Sequence, residues 1–225
     1  MSSIAVLEQL RAYSSEQTRK IYRKYGVTGD LFGVNYSALN KLKKKIKINH
    51  DLALQLWSTG NHDARILALM IADPQKADSA LLDAWADELG NYVISDAFST
   101  YVGQTALARE KVEKWTPSDA EWIGATGWNI LGYIANNDEA LPDSFFEPYL
   151  KIIERDIHNR KNRVRHSMNG ALIAIGGRNP ALEQKALDVA QKIGKVQVDH
   201  GETNCKTPDA TAYIQKTRAH HNAKA

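Results

Sequence analysis

The sequence predicts an all-α protein in which pairs of antiparallel helices stack as an α-α superhelix of the HEAT or armadillo type. Residues that begin or end helices recur along the whole chain, and the apolar residues between them have the three- and four-residue spacing of amphipathic helices. No run of alternating polar and apolar residues predicts a sheet. The predicted helices come in pairs that recur every ~35–45 residues, a period typical of helical repeats. A compact, irregular helical bundle is the alternative.

The first predicted helices have clear end signals. Ser15 can accept a hydrogen bond from the first turn of a helix over residues 16–25, and Gly26 can end that helix. A glycine-rich loop leads to a helix over residues 36–48, and Asn49 can cap the next one. Further helices are predicted over residues 51–58, 62–72, 81–89, 91–102, 105–115, 118–135, 145–158, 161–175, 181–193 and 209–218.

The last predicted helices follow a cap joined to a proline. Asn179 is followed by Pro180, and proline is favoured at the first helical position. Thr207 and Pro208 repeat this pattern, while residues 195–198 favour an extended conformation. Caps are also predicted at Asn61, Asp78 and Ser144.

Bulk composition indicates a soluble globular protein. The chain has 225 residues, 43% hydrophobic and 24% charged, and we expect one domain over residues 1–217 with a disordered tail over residues 218–225. The one cysteine, Cys205, fits a reducing compartment. No apolar run approaches the ~20 residues needed to span a bilayer, and the amino terminus lacks the pattern of a secretory signal. We therefore expect a cytoplasmic monomer that does not bind membranes.

Positive charge is concentrated on the predicted helix over residues 36–48. Leu39, Leu42 and Ile46 form its apolar stripe, which leaves the lysines on the outer face. These lysines are Lys41, Lys43, Lys44, Lys45 and Lys47. A dense cationic face is typical of a protein that binds a polyanion, although it can also be an ordinary solvated face.

Two further basic clusters support the polyanion interpretation, because the net charge of the chain is only +3. One cluster contains Arg155, Arg160, Lys161, Arg163, Arg165 and His166. The other contains Arg19, Lys20, Arg23 and Lys24. The acidic residues gather over residues 73–88 and 138–147 instead. Since the concave groove of a helical superhelix fits a rod, this segregation predicts double-stranded DNA as the partner.

The sequence contains no phosphate-binding loop, nucleophile elbow or metal-binding motif, and we expect no cofactor and no metal. Asp96 is the position that suggests chemistry. Tyr92 and Asp96 are four residues apart on a predicted helix and so share a face. A carboxylate beside an aromatic ring can stabilise a sugar oxocarbenium ion. An ordinary solvated or ion-paired aspartate is the alternative.

Several segments resemble the DNA alkylation repair family, which comprises HEAT-like-repeat alkylpurine DNA glycosylases and their non-catalytic relatives. The similar segments are residues 33–42, 53–57, 62–68, 115–122 and 163–174, within a resemblance that spans about residues 26–180. It implies a HEAT-like fold and excision of cationic N-alkylated purines, such as 3-methyladenine and 7-methylguanine, by hydrolysis of the N-glycosidic bond. A non-enzymatic protein that recognises the shape of DNA, and a protein-binding solenoid, are the alternatives.

The resemblance also implies roles for individual residues. The family's glycosylases carry an aspartate four residues after a tryptophan; Asp96 matches that aspartate as the catalytic residue, and Tyr92 stands in place of the tryptophan. Trp122 matches a second tryptophan, so Tyr92 and Trp122 would contact the sugar. The family's arginine three residues later is replaced by Ala125, and a further family tryptophan falls near Gly170. The segment over residues 195–209 looks like a feature of one branch of the family. It could contact DNA through His200 and Lys206, or it could be a rigid crossing that caps the solenoid.

Overall fold

The structure, a computed structural model, describes residues 1–223, and all regular secondary structure in these residues is helical. The first helices are α1 (Ser3–Ala12), α2 (Glu16–Lys24), α3 (Tyr36–Ile46), α4 (His50–Trp57), α5 (His62–Ile71), α6 (Ser79–Asp87) and α7 (Tyr92–Gly103). They are followed by α8 (Ala108–Trp115), α9 (Glu121–Asn137), α10 (Asp143–Asp156), α11 (Asn162–Gly177), α12 (Pro180–Ile193) and α13 (Ala210–Asn222). Two short 3-10 helices cover Pro74–Lys76 and Ile157–Asn159. The all-α prediction is confirmed for the described part of the chain.

Most of the predicted caps form, because capping depends on residues close together in the chain. Side chains accept hydrogen bonds from the first turns of their helices at Ser15, Asn49, Asn61, Asp78 and Asn179. Two predicted caps are wrong. Ser144 lies inside α10, which begins after Pro142 without a side-chain cap, and Asp209 caps α13 in place of Thr207. Residues 195–198, predicted to be extended, lie in an irregular segment.

The chain forms two compact units. Unit 1 comprises Met1–Leu107 with Gly201–Thr203, and unit 2 comprises Ala108–His200 with the chain from Asn204 onward. The single domain expected over residues 1–217 stays a prediction. The disordered tail expected from residue 218 also stays a prediction, and residues 218–222 belong to α13. Arg218 is buried there and donates a hydrogen bond to Glu183. Residues 224 and 225 lie outside the described residues.

Unit 1 is organised around a buried carboxylate. Asp63, in the first turn of α5, accepts hydrogen bonds from the backbone N–H groups of Phe32 at 2.6 Å, Gly33 at 3.0 Å and Val34 at 2.8 Å. Burial raises the pKa of the Asp63 carboxyl, and the three N–H donors oppose that rise by stabilising the charged form. The carboxylate thereby fixes the loop over residues 26–34 against α5.

Gly33 is required for this arrangement. Its φ angle is +79°, and a Cβ atom at this position would lie 2.6 Å from the carbonyl oxygen of Ser15 and 2.7 Å from the backbone nitrogen of Arg19. A side chain would therefore clash with backbone atoms at the start of α2, which cannot move aside easily. The loop can approach α2 only because this residue is glycine.

A cluster of aromatic rings forms the rest of the core of unit 1. Trp57 and Trp85 stack with their ring centroids 4.3 Å apart, and Phe98 packs against both rings. The indole N–H of Trp57 donates to Glu88 at 2.9 Å. Arg65 lies over the Trp57 ring, 5.0 Å from its centroid, and pairs with the same glutamate. These contacts join α4, α5, α6 and α7.

Unit 2 is built on the close packing of α9 against α11. Small residues line this contact: a Cβ atom on Gly132 would lie 3.6 Å from the Cα atom of Ala171. Arg178, just after α11, donates hydrogen bonds to the carbonyl oxygens of Ala135, Asp138 and Leu141. The Arg178 guanidinium group therefore fixes the loop between α9 and α10.

We expect Asp63→Asn to lower the free energy of unfolding by about 3 kcal/mol, because an amide offers one acceptor oxygen to three buried N–H donors. Asp51→Asn, on the exposed face of α4, is the control and should lower it by less than about 1 kcal/mol. Urea unfolding followed by circular dichroism measures both. Equal stability of the two variants would show that Asp63 does not anchor the loop.

Candidate functional site

Helix α3 presents the predicted cationic face. Ala38, Leu39 and Leu42 are buried on its inner side, which places the lysines on the outer side. Lys41, Lys43, Lys44, Lys45 and Lys47 are all exposed. Lys45 donates a 3.4 Å hydrogen bond to the Gln9 side chain. The predicted geometry of this helix is confirmed.

The basic residues of α2 are used differently. Arg19 pairs with Glu16 and donates to the carbonyl oxygen of Phe32 at 3.3 Å. Arg23 donates to the carbonyl oxygens of Val27 and Gly29, each at 2.8 Å. Both guanidinium groups therefore stabilise the loop over residues 26–34.

The corner after α3 has an unusual backbone conformation. Lys47 has φ of 63° and ψ of −157°, and it is the only residue other than glycine with a positive φ in the described chain. This region of backbone space is favourable almost exclusively for glycine. The corner is held on both sides, because Lys47 N–H donates to the carbonyl of Lys43 and Asn49 N–H donates to the carbonyl of Ile71, each at 2.8 Å. Ile48, between these two anchors, is largely exposed.

A cavity of about 390 Å³ lies beside this corner, between α3, α5 and α7. Its apolar and aromatic lining includes Tyr36, Ile48, Ile66, Leu69, Met70 and Tyr101. Its polar lining includes Lys43, Asp96, Thr100 and Gln104. Thr100 donates its hydroxyl hydrogen to the carbonyl of Asp96, and Gln104 donates to the carbonyl of Thr100. The cavity thus combines a mostly apolar wall with one carboxylate and one ammonium group.

Asp96 lies on the exposed side of α7 and borders this cavity. Its aromatic neighbour there is Tyr36, whose side chain is partly exposed: partial burial first, and then the negative charge of Asp96, raise the pKa of the Tyr36 phenol. The Tyr36 hydroxyl therefore stays protonated at neutral pH and can donate a hydrogen bond. Tyr36 was not predicted as a site residue, although it is the first residue of the lysine-rich helix and its ring has no place in the apolar stripe of that helix.

Tyr92 is half-buried on α7 and packs against Tyr25, with ring centroids 5.5 Å apart. It is not part of the cavity lining that contains Asp96. A role for Tyr92 in contacting a sugar stays a prediction.

The remaining positions implied by the family resemblance lie in unit 2. Trp122 is half-buried near the start of α9. Ala125 is buried on the same helix, so the position of the family's arginine does not face solvent. Gly170 is exposed on α11, and a Cβ atom there would have no neighbour within 4 Å. The space around Gly170, near which the family's tryptophan falls, is therefore open.

The basic cluster of unit 2 contains half-buried arginines and exposed lysines. Arg160 donates to the carbonyl oxygens of Thr116 at 3.2 Å and Ser118 at 2.5 Å, which fixes the connection before α9. The Nε atom of Arg165 is buried, and its Nη2 atom donates weakly to Asn162. Lys161 is exposed, Arg163 is half-exposed, and Lys206 is exposed. DNA binding by these five residues stays a prediction, and the exposed lysines are the best placed for it.

His166 does not carry a positive charge at neutral pH. Burial, with the nearby charge of Arg163, lowers its pKa to about 4. Its ring meets the edge of the His200 ring at 5.5 Å, and His200 lies 3.0 Å from the Thr207 hydroxyl. Any contact of His166 with DNA would therefore be made by a neutral ring.

Asparagine side chains hold the segment that contains His200, a role that the sequence analysis missed. Asn162 donates to the carbonyl of Asp199 at 2.7 Å and accepts from its N–H group at 2.8 Å. Asn169 donates to the carbonyl of Pro208 at 3.0 Å. Both asparagines lie on α11, seven residues apart. This spacing of two helical turns indicates in the sequence that both side chains share one face of the helix.

A second cavity, of about 520 Å³, lies in unit 2 near the end of α11. Arg178, Asn179 and His221 contribute to its lining. Arg178 is already bonded to three carbonyl oxygens, Asn179 donates to Asp143, and the His221 ring bonds the carbonyl of Gly177. These polar groups hold the fold together, and none of the predicted site residues lines this cavity.

Within residues 1–223, no three His, Cys, Asp or Glu side chains are grouped so that they could hold a metal ion. In the same part of the chain, no helix has the length and apolar character needed to cross a bilayer.

Comparison with known proteins gives consistent matches over nearly the whole chain. A family model described as "DNA alkylation repair enzyme" matches residues 6–214. Two uncharacterized proteins, one from Listeria innocua and one from Listeria monocytogenes, are each 31% identical over 221 residues, covering 93% of this chain and 94% of the relative. A solved structure matches with a TM-score of 0.90 and 30% identity, covering 98% of this chain and 95% of the other. That protein is described as part of a new family related to the HEAT-like repeat DNA glycosylases with affinity for branched DNA structures. The predicted HEAT-like fold class is thereby confirmed.

We expect Lys47→Gly to raise the free energy of unfolding by about 1 kcal/mol, because glycine relieves a strain larger than the chain entropy that it adds to the unfolded state. The matched control is Lys44→Gly, at an exposed helical position three residues earlier, which should lower it by about 1 kcal/mol. Chemical denaturation gives both values. A destabilised Lys47→Gly variant would show that this corner is not strained.

Proposed function

The chain belongs to the DNA alkylation repair enzyme family, and from that premise we propose that the protein binds duplex DNA and recognises branched structures in it. The observation that carries this proposal is the exposed row of five lysines along α3 and its corner. The affinity for branched DNA described for the similar solved structure supports the choice of ligand. The exposed cysteine, Cys205, suits a reducing compartment, and we place the protein in the cytoplasm.

The lysine row has the properties needed to contact a phosphate backbone. An ammonium group is a compact charge on a flexible stem, so several of them can adapt to phosphates at different spacings. Each neutralised phosphate releases condensed counterions, which makes binding strong at low salt and independent of sequence. Such contacts position a protein on DNA without reading its bases. Discrimination of branched DNA must therefore come from another part of the surface.

A second function, excision of cationic N-alkylated purines, is favoured by the position of Asp96. An alkylated purine with a positive charge leaves as a neutral base and takes the electron pair of the glycosidic bond. The carboxylate of Asp96, at the edge of a cavity that opens beside the lysine row, could stabilise the resulting oxocarbenium ion at C1′. It could then accept a proton from the water that adds to that carbon. Replacement of the family's arginine by the buried Ala125 weighs against rapid catalysis.

Replacing Lys43, Lys44 and Lys45 together with glutamine should weaken binding to linear and branched DNA alike. If each lysine neutralises one phosphate, the slope of log K against log salt concentration should fall in magnitude by about 0.9 for each lysine removed. Glutamine is as good a helix former as lysine, so α3 should be preserved. Fluorescence anisotropy with labelled duplexes over a range of salt concentrations gives the slope.

The control removes the same amount of charge from unit 2 by replacing Lys151, Lys185 and Lys192, all exposed, with glutamine. Its salt slope should equal that of the unmodified protein. Equal slopes for both triple variants would mean that the lysine row of α3 does not contact DNA.

Asp96→Asn should abolish release of 7-methylguanine from methylated duplex DNA and leave DNA affinity unchanged or slightly higher, because a negative charge near the phosphates is lost. Chromatography of the released base and anisotropy of the bound duplex measure the two quantities. Equal base release by variant and unmodified protein would remove Asp96 from the mechanism. Tight binding without release by either protein would leave structure recognition as the function.

A further inference from the structure

We propose that the cavity between α3, α5 and α7 is a binding site for one unpaired nucleobase of the bound DNA, with the adjoining phosphates on the lysines of α3. This inference rests on the proposed DNA binding and adds to it the part of the surface that distinguishes branched from linear DNA.

Buried side chains with fixed positions form the apolar base of the cavity. Leu69 and Tyr101 are buried beneath it, and the Tyr101 hydroxyl is fixed by a 3.3 Å hydrogen bond to the carbonyl of Asp73. At about 390 Å³ the space can take a flat ring system together with part of its sugar. An apolar cavity with a few polar groups at its edge is typical of a small-ligand site.

The rim of the cavity exposes two large apolar side chains where a nucleobase would enter. Tyr36 is 46% exposed and Ile48 is 58% exposed, and both line the cavity. Nucleobases stack on aromatic side chains whatever their sequence, since every base has a π face. Apolar side chains also insert between bases and separate them at bends in DNA. Tyr36, at the start of α3, and Ile48, just after its end, provide these two kinds of surface along the cavity.

The polar edge suits a base that is held next to a backbone. Asp96 can accept hydrogen bonds from the amino or imino groups of a base, groups that are already paired in a duplex. Lys43, which lines the same cavity, lies on the helix that carries the other lysines. A base bound here would therefore have its phosphates within reach of the lysine row.

The strained backbone of Lys47 supports a binding role for this corner. A residue in an unfavourable conformation persists where surrounding contacts hold it, and such residues cluster at ligand sites. Here the hydrogen bonds of Lys47 and Asn49 fix the corner and hold Ile48 in its exposed position. The rim is thus preformed rather than assembled on binding.

Branched DNA is the form in which such a site can be filled at low cost. Bringing a base out of a regular duplex requires breaking its pairing and stacking, and this requirement is smallest where the base is already unpaired. A cavity for one base would therefore leave affinity for linear duplex nearly unchanged and raise affinity for DNA with a branch or a bulge.

The test uses three DNA molecules of equal length: a paired duplex, a duplex with a single bulged 2-aminopurine, and the same bulge with an abasic residue. We expect the unmodified protein to bind the bulged base at least fivefold more tightly than the abasic bulge, since stacking of one base is worth a factor of roughly five to a hundred. We also expect the fluorescence of 2-aminopurine to fall on binding as the base stacks on Tyr36.

Tyr36→Ser and Ile48→Ser should each reduce the preference for the bulged base to less than twofold and change affinity for the paired duplex by less than twofold. Matched controls are available in unit 1, because Tyr13 is 42% exposed and Ile4 is 69% exposed, and neither lines the cavity. Tyr13→Ser and Ile4→Ser should keep the full preference. Circular dichroism melting curves check that all four variants are folded.

Equal affinity of the unmodified protein for the bulged base and the abasic bulge would overturn this inference and leave DNA binding through α3 intact. Loss of preference in the two control variants as well would also overturn it. Failure to bind any of the three DNA molecules at low salt would instead overturn the proposed function.

Discussion

The carboxylate of Asp63 is the interaction on which the arrangement of unit 1 depends. It binds the N–H groups of residues 32–34, and the next residue, Asn35, caps α3 by accepting from Ala38. Tyr36 then begins the helix that carries the lysines. Asp63 lies on α5, which packs against α3, α4 and α7. This one buried acceptor therefore fixes the lysine row and Tyr36 relative to α7, the helix that carries Asp96. The short distance along the chain from this anchor to Tyr36 leaves little freedom between them.

The sequence was a good guide where the determining contacts are local. Caps at Ser15 and Asn49, and the outer face of α3, depend on residues three or four positions apart, and these features are confirmed. Helix α1 was missed, although Ser2 caps it and Val6 and Leu10 form its buried stripe. Ser144 was misjudged because a good capping residue cannot cap once the helix has begun before it. The hydrogen bonds between Asp63 and the loop join residues about thirty positions apart. No periodic pattern in the sequence predicts such a contact.

Basic residues were the least predictable part of the site, and the reason is the difference between arginine and lysine. Arg23, Arg160 and Arg178 each donate to two or more backbone carbonyl oxygens, a use that suits a planar group with several fixed donors. These arginines connect loops and helices through several backbone carbonyl oxygens at once. The lysines of α3 remain at the surface. A count of positive charges along the sequence cannot separate these two uses, whereas the distinction between lysine and arginine partly can.

One buried histidine in each unit makes the stability of the fold depend on acidity. His62 in unit 1, in edge contact with Tyr22, and His166 in unit 2 both have their pKa lowered to about 4, chiefly by burial. Their unfolded forms take up protons first, so the stability that they contribute is complete above pH 6.5 and is lost as the pH falls toward 4. By pH 5 the stability lost amounts to about 2 kcal/mol for each histidine. Acidification toward pH 5 should therefore weaken the packing around α5 in unit 1 and around α11 in unit 2, the two helices that carry these histidines.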